Sequence, residues 1–298
     1  MTPPVPTAYR LFFSGESFSG EQLEQLERAF FCNIILANGT FKTTNHRRLD
    51  DLNALLRGQL PPERPLRVMD VAVSSGVSTA EWAADLQDHG IAHEMTAGDL
   101  MVDAFLITVR PNLRVLIDKA GHLLQLDVRG TAIRTPFRKR HLARYGLSIL
   151  AAKAAAAMFK PTLRELSRRK PGSGPLQKWG MGCEPLKLVS SSLRKFPDIS
   201  IVEDDILLNT AYARCFNVVR AANILNRVYF SDAILTAMLS NLRGRLMPHG
   251  LLVICRTNEQ QVNNATLFRL SERGTFEVAA RLNAGSEIED LTLSLPVN

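Results

Sequence analysis

The sequence predicts an α/β fold, a mostly parallel sheet with helices on both faces, interrupted by an inserted segment of different character. Three observations carry this. Short apolar runs (RVMDVAV, residues 67–73; IAHEMTAGD, 91–99) flank a helix-like stretch, STAEWAADLQDHG. The same alternation resumes after residue 190 with ISIVEDDI, FNVVRAANIL, SDAILTAMLSNLRGRL and LLVICRT. Between them, residues 104–130 read as an antiparallel meander. Strands that alternate with helices imply a parallel or mixed sheet covered on both sides, whose ligands sit beyond the strands' carboxyl ends.

Taken in order, SGEQLEQLERAFFCNIILANG (19–39) predicts a helix, with Ser19 as its cap and Leu23, Leu26, Phe30, Ile34 and Ile35 at helical spacing. HRRLDDLNALLRG predicts a second helix ending at Gly58, before the breaking prolines Pro61, Pro62 and Pro65. The meander has turns at Pro111-Asn112 and near Gly121. Residues 138–170 then predict a long helix kinked at Pro161, followed by a KPGSGP loop. TFEVAARLN and LTLSLPV close the chain as the expected last strands.

The 298 residues are 46% hydrophobic, enough for a real core, and the net charge is +7. That charge is concentrated: Arg110 to Lys170 carries +12, so the remainder is net negative at −5. Cys32, Cys183, Cys215 and Cys255 are far apart, and no Cys/His spacing suits zinc or a disulfide framework. The six histidines show no metal or nucleophile spacing either. A reducing compartment is expected, and the absence of a leader-like N-terminus points to a cytoplasmic protein, or one peripheral at the inner membrane face.

Chemistry concentrates at three acids near strand ends, Asp70, Asp99 and Asp205. Asp70 precedes the small-residue turn Ala72, Ser74, Ser75, Gly76, which lets a backbone approach a ligand closely. One carboxylate can accept both hydroxyls of a ribose and another an adenine amino hydrogen, roles that suit Asp99 and Asp205. Asp70 would orient the turn and reach a ligand ammonium group. Singly, each acid reads equally well as a turn or cap residue.

In order and spacing, residues 67–99 and 186–257 resemble class I S-adenosylmethionine-dependent methyltransferases. DVAVSSGVST stands where that family has D-x-G-x-G-x-G, GDL (98–100) resembles its ribose-binding acid, EDDIL (203–207) its adenine-side acid, and RLMPHGLLVICRT its P-G-G turn and following strand. Residues 216–230 are also similar to the F-D-L-I-x-x-R-N-V-L-x-Y-F stretch of chemotaxis-receptor glutamate methyltransferases. Ala72 and Ser74 replace two loop glycines, Asn217 a common acid and His249 a turn glycine.

The residue pattern predicts an N-terminal helical region (1–64) and a basic insertion or lid (101–185), and the resemblance implies a Rossmann-like seven-stranded sheet over residues 65–100 and 186–298. It implies S-adenosylmethionine held by Asp70, Ala72, Ser74, Ser75, Gly76, Thr79, Asp99, Leu100, Asp205, Ile206 and Arg220. Arg220, Asn223, Asn226 and Tyr229 would face the methyl group or a small-molecule acceptor with an O or N nucleophile. Methyl transfer from a sulfonium needs in-line positioning and a dry pocket more than acid–base groups. Arg220 suits an anionic substrate or, equally, a structural ion pair. Asp204 and Glu203 are expected to be solvated, and Trp82 to be core packing. No metal is expected. A noncatalytic binding scaffold on the same fold is the rival reading. The basic segment 136–170 suits an anionic membrane surface, an acidic small molecule or, lower in rank for want of interleaved aromatics, nucleic acid. Within it, residues 146–159 are apolar nearly all round, as an interfacial helix or a buried lid helix would be.

Overall fold

A computed structural model describes residues 5–35, 42, 45–169 and 174–296. The chain opens with helices α1 (Ala8–Phe12), α2 (Gly20–Phe31) and α3 (Asp50–Arg57), then runs β1 (Leu66–Val71), α4 (Val77–Asp88) and β2 (His93–Asp99). The meander β3 (Asp103–Arg110), β4 (Leu113–Asp118), β5 (Leu123–Val128) and β6 (Thr131–Arg134) leads into α5 (Lys139–Phe159) and α6 (Leu163–Leu166). There follow β7 (Leu176–Lys178), β8 (Met181–Lys187), α7 (Ser191–Arg194), β9 (Ser200–Glu203), β10 (Phe216–Ala222) and α8 (Asp232–Arg245). The chain closes with β11 (Leu246–Thr257), β12 (Asn263–Leu270), β13 (Phe276–Leu282) and α9 (Glu289–Leu293).

The chain forms two compact units, residues 45–100 with 191–298, and residues 1–44 with 101–190. The first unit is built on a seven-stranded sheet of spatial order β13-β12-β11-β10-β1-β2-β9. Its strands β9, β2, β1, β10 and β11 run parallel, and β12 and β13 add antiparallel. This is the Rossmann-like α/β class the sequence predicts. β10 is buried along almost its whole length, as a central parallel strand with both faces covered must be. On one face Val219, Ala221, Leu252 and Ile254 pack against Leu235, Leu239 and Leu242 of α8. Each valine, leucine or isoleucine buried there is worth roughly 1.5–3 kcal/mol. The two-residue period of the strand turns Arg220 to the other face, toward Trp82 of α4 and Asn53 of α3.

The second unit is a six-stranded antiparallel sheet of order β6-β5-β4-β3-β8-β7. Its alternation serves two cores. Phe105, Ile107, Val115 and Ile117 meet Ile149, Ala152, Ala156 and Phe159 of α5. Ala104, Leu106, Leu116 and Leu124 meet Ala8, Leu11, Phe30, Phe31 and Ile34. The expected division into a 1–64 helical region and a separate 101–185 insertion is therefore corrected. The first helices bury their phenylalanines on the inserted sheet, whereas α3 belongs with the seven-stranded unit.

Several elements differ from expectation. α2 keeps the Ser19 cap, as a full capping box with Gln22, but ends at Phe31, before Ile34 and Ile35. Residues 36–39 of that expected helix, 170–173 of the KPGSGP loop and Val297 lie outside the described residues. The break in the long helix falls at Tyr145 (φ −125°, ψ 16°); Pro161 instead sits in a 3-10 turn after the helix, where its missing N–H is harmless. β7 and β8 had no clear signal, and β8 completes the inserted sheet by pairing with β3. The seventh strand of the larger sheet is supplied by NNATLFRL (β12), while LTLSLPV lies partly in α9.

Candidate functional site

At the carboxyl end of β1 the chain leaves the sheet through Ala72–Gly76 and enters α4. Ala72 (φ 56°), Ser74 (φ 58°) and Gly76 (φ 78°) all adopt left-handed backbone, the three positions at which the resembled motif has glycine. For residues with a Cβ this conformation costs roughly 1–2 kcal/mol each. His249, which stands for a turn glycine, repeats the pattern with φ 63°. The loop is tied down by backbone bonds, Val73 N–H to Gly98 O (3.1 Å) and Gly76 N–H to Val73 O (2.8 Å). A Cβ on Gly76 would meet Leu193 Cδ2 at 2.4 Å, so glycine is needed there for packing as well as for φ. α4 starts without a side-chain cap, leaving its positive N-terminal end directed at this rim.

Asp70 is 3% exposed. Its cross-strand partner in the β1–β10 register is Arg220, which is fully buried. Arg220 Nε donates to Asp70 Oδ1 (3.0 Å) and Nη2 to Oδ2 (2.6 Å), while Thr79 Oγ1 donates to the same Oδ2 (2.7 Å). The remaining guanidinium bonds run to Asn53 Oδ1 (2.9 Å) and Ser78 O (3.0 Å), and the group lies 4.3 Å from the Trp82 ring centroid. A bidentate pair this enclosed is a structural anchor for β1, β10, α3 and α4. The expectations that Arg220 meets a substrate and that Asp70 takes an ammonium group are both corrected, because their polar atoms are engaged with each other.

Asp99, at the end of β2, accepts the Ser74 N–H through Oδ2 (2.7 Å), so this acid and the left-handed loop are brought together. Leu100 next to it is 53% exposed. On the adjacent strand end Asp204, expected in solvent, is the buried one. Arg245 Nη1 reaches its Oδ2 (2.5 Å), Arg245 Nη2 its Oδ1 (3.1 Å), and Asn209 Nδ2 also donates to Oδ1 (2.7 Å). Asp205 holds the next turn by accepting the Leu207 N–H (2.9 Å), and Ile206 is buried in the core. Ser75 and Thr79 are buried in the loop and the first turn of α4.

After β10, Asn223 takes a left-handed conformation (φ 61°) and joins β10 to β11, accepting the Thr257 N–H (2.7 Å). Asn226 accepts the Val228 and Tyr229 N–H groups and is 3% exposed. Asn226 thus satisfies turn backbone, whereas Asn223 ties the end of β10 to the end of β11. Tyr229 is 61% exposed and stands out from that turn. Asn53, Asp204 and Arg245 were missed by sequence reasoning. Only the strand order, which sets β1 beside β10, identifies Arg220's partners. Nearby, burial pushes the Cys255 thiol up to about 12 despite Arg220 and Arg48, so it is not a nucleophile. Among the described residues, no group of three or more His, Cys, Asp or Glu side chains is placed to hold a metal.

No protein-family model and no curated protein matches the chain. Solved structures do. The CMeT domain of the citrinin polyketide synthase is 13% identical, with 81% of this chain and 41% of that one covered and a TM-score of 0.35. N-methyltransferase NodS from Bradyrhizobium japonicum WM9, in complex with S-adenosyl-L-homocysteine, is 14% identical over 72% and 65% (TM-score 0.31). An S-adenosylmethionine-dependent methyltransferase from Mesorhizobium loti is 14% identical over 69% and 53% (TM-score 0.29). This chain spans 41%, 36% and 38% of the length of the first three structures it matches, all methyltransferase structures. Identities this low are compatible with many activities on one fold.

Proposed function

We propose that the unit of residues 45–100 and 191–298 binds S-adenosylmethionine at the carboxyl ends of β1 and β2 and transfers its methyl group to an O or N nucleophile of a small molecule. The observation that carries this reading is the loop after Asp70. Ala72 and Ser74 hold a glycine-like backbone at a cost in energy, and strain retained beside an open strand end is characteristic of ligand sites. Asp99, bonded to the Ser74 N–H, would accept ribose hydroxyls while fixing the loop. The uncapped start of α4 favours a carboxylate. Asp205 would meet the adenine side. Asp70 and Arg220 act as positioning residues that lock β1 against β10. The bound cofactor supplies an electrophilic methyl on sulfur. The chain's part is to exclude water and aim the acceptor, for which exposed Leu100 and Tyr229 offer surface.

A noncatalytic scaffold is the second reading, favoured by one observation: Arg220, Asn223 and Asn226 are all engaged internally. Isothermal titration with S-adenosylmethionine tests the first step. Wild type should bind, and Asp99→Ala should bind at least about ten-fold more weakly, since a charge-assisted hydrogen bond is worth about 1.5–3 kcal/mol. Equal affinity in the variant would refute the ribose assignment. Binding without methylated product across a broad acceptor set would select the scaffold.

A further inference from the structure

We propose that the unit of residues 1–44 and 101–190 docks on an anionic phospholipid surface through the outer face of α5, with a headgroup phosphate seated in an arginine-lined pocket at the break in that helix. One face of α5, including Ile149, Ala152, Ala156 and Phe159, is spent on the inserted sheet. The opposite face is apolar and uncovered. Leu147 is 86% exposed, Leu150 65% and Met158 38%, with Ala154 exposed between them. Their spacing, 147, 150, 154 and 158, forms one ridge along the helix. Basic residues border it, Arg138, Lys139 and Arg140 at one end, Lys153 alongside, Lys160 and Arg164 at the other, all exposed.

The pocket lies where Tyr145 interrupts α5 beside the β3–β4 and β5–β6 turns. Its volume is about 410 Å³, and Arg110, Arg129, Arg144, Asn112, Thr131 and Ser148 line it with no acid among its lining residues. Three arginines around one pocket, with amide and hydroxyl side chains beside them, are the residue types that recognise a phosphate. Ser148 of the pocket adjoins Leu147 of the ridge, so the polar and apolar contacts are contiguous. By length and composition the helical stretch Lys139–Leu166 could cross a membrane, but Tyr145 breaks it and one face of α5 is already packed on the inserted sheet. Such a helix lies in the interface plane, its ridge in the acyl boundary and its cations at the headgroups. Nucleic acid would want a series of aromatic stacking platforms, and the ridge residues Leu147, Leu150, Ala154 and Met158 offer none. A symmetric pairing of two such faces would oppose their cationic borders.

Cosedimentation of the full chain with vesicles of phosphatidylcholine alone, and of phosphatidylcholine mixed with phosphatidylglycerol, tests this independently of cofactor binding. Binding should require phosphatidylglycerol and weaken with salt. Leu147→Ser with Leu150→Ser, both at exposed positions, should lower vesicle affinity about ten-fold or more. Arg110→Gln, Arg129→Gln and Arg144→Gln should each lower it about five-fold. Free inorganic phosphate should not compete at concentrations that leave the vesicles intact if the surface, rather than a soluble anion, is the target. Equal binding to neutral vesicles, no vesicle binding, affinity for an oligonucleotide that survives loss of the ridge leucines, or self-association abolished by Leu147→Ser would each overturn it.

Discussion

At residue scale the informative quantity is backbone conformation. Ala72 and Ser74 occupy left-handed backbone in which a Cβ is costly, so Ala72→Gly and Ser74→Gly should each stabilise the protein by about 0.5–1 kcal/mol once the extra freedom of glycine in the unfolded chain is subtracted. In a differential scanning experiment that is a rise of about 2 °C per substitution. A fall in Tm would show that these residues are not strained. Thiol chemistry gives a second check. Burial pushes Cys183 and Cys255 up to about 12, so in native protein at pH 8 only Cys32 and, more slowly, half-buried Cys215 should react with a thiol reagent. Glu81 titrates in the opposite sense to most surface acids. Burial, ahead of the Arg47 N–H and His46, raises it above 4.5, so ionisation is easier in the unfolded chain. Native stability attributable to this group is therefore lost as pH rises from about 4.5 through the raised folded value, and Glu81→Gln should gain Tm over wild type progressively across that window.

At the scale of elements, the β1–β10 pairing explains why some of the site was legible and some was not. The strand–loop–helix pattern of 67–88, the acid ending β2 and the helix cap at Ser19 rest on local chemistry, and all three are realised. Arg220 could not be placed from sequence, because its environment is set by a partner 150 positions away that only the strand order brings opposite. Asp204 and Asp205 invert for the same reason. They are adjacent in sequence, but the strand end turns one toward Arg245 in the interior and the other toward the turn backbone. Arg220→Met should cost about 3–5 kcal/mol by leaving Asp70 charged and unpaired. A double-mutant cycle with Asp70→Leu, read by urea denaturation, should return a coupling of about 2 kcal/mol. Additive losses would mean that the pair does not act as one anchor.

For the whole molecule, charge and fold divide along the same line. The segment with +12 lies in the unit built on the antiparallel sheet, and the remainder of the chain is net negative. Composition made that contrast visible. It did not reveal that α1 and α2 complete the inserted unit, because Phe30, Phe31 and Ile34 read as an amphipathic surface whose partner, the even-numbered face of β3 and β4, lies about 70 residues further on. The alternation of that sheet, apolar on both faces, was the signal that two layers must cover it. Cofactor binding should therefore act on one unit. In hydrogen exchange with S-adenosylhomocysteine, amides of residues 72–79 and the ends of β2 and β9 should gain protection while β3–β8 stay unchanged.

The most direct measurement is a crystal structure of the protein with S-adenosylhomocysteine. The ribose hydroxyls should lie on the Asp99 carboxylate and the ligand should pass along the backbone of Ala72–Gly76, with all three left-handed residues retained. A ligand seated elsewhere, or a loop that relaxes to ordinary backbone with no nucleoside beside Asp99, would contradict the assignment.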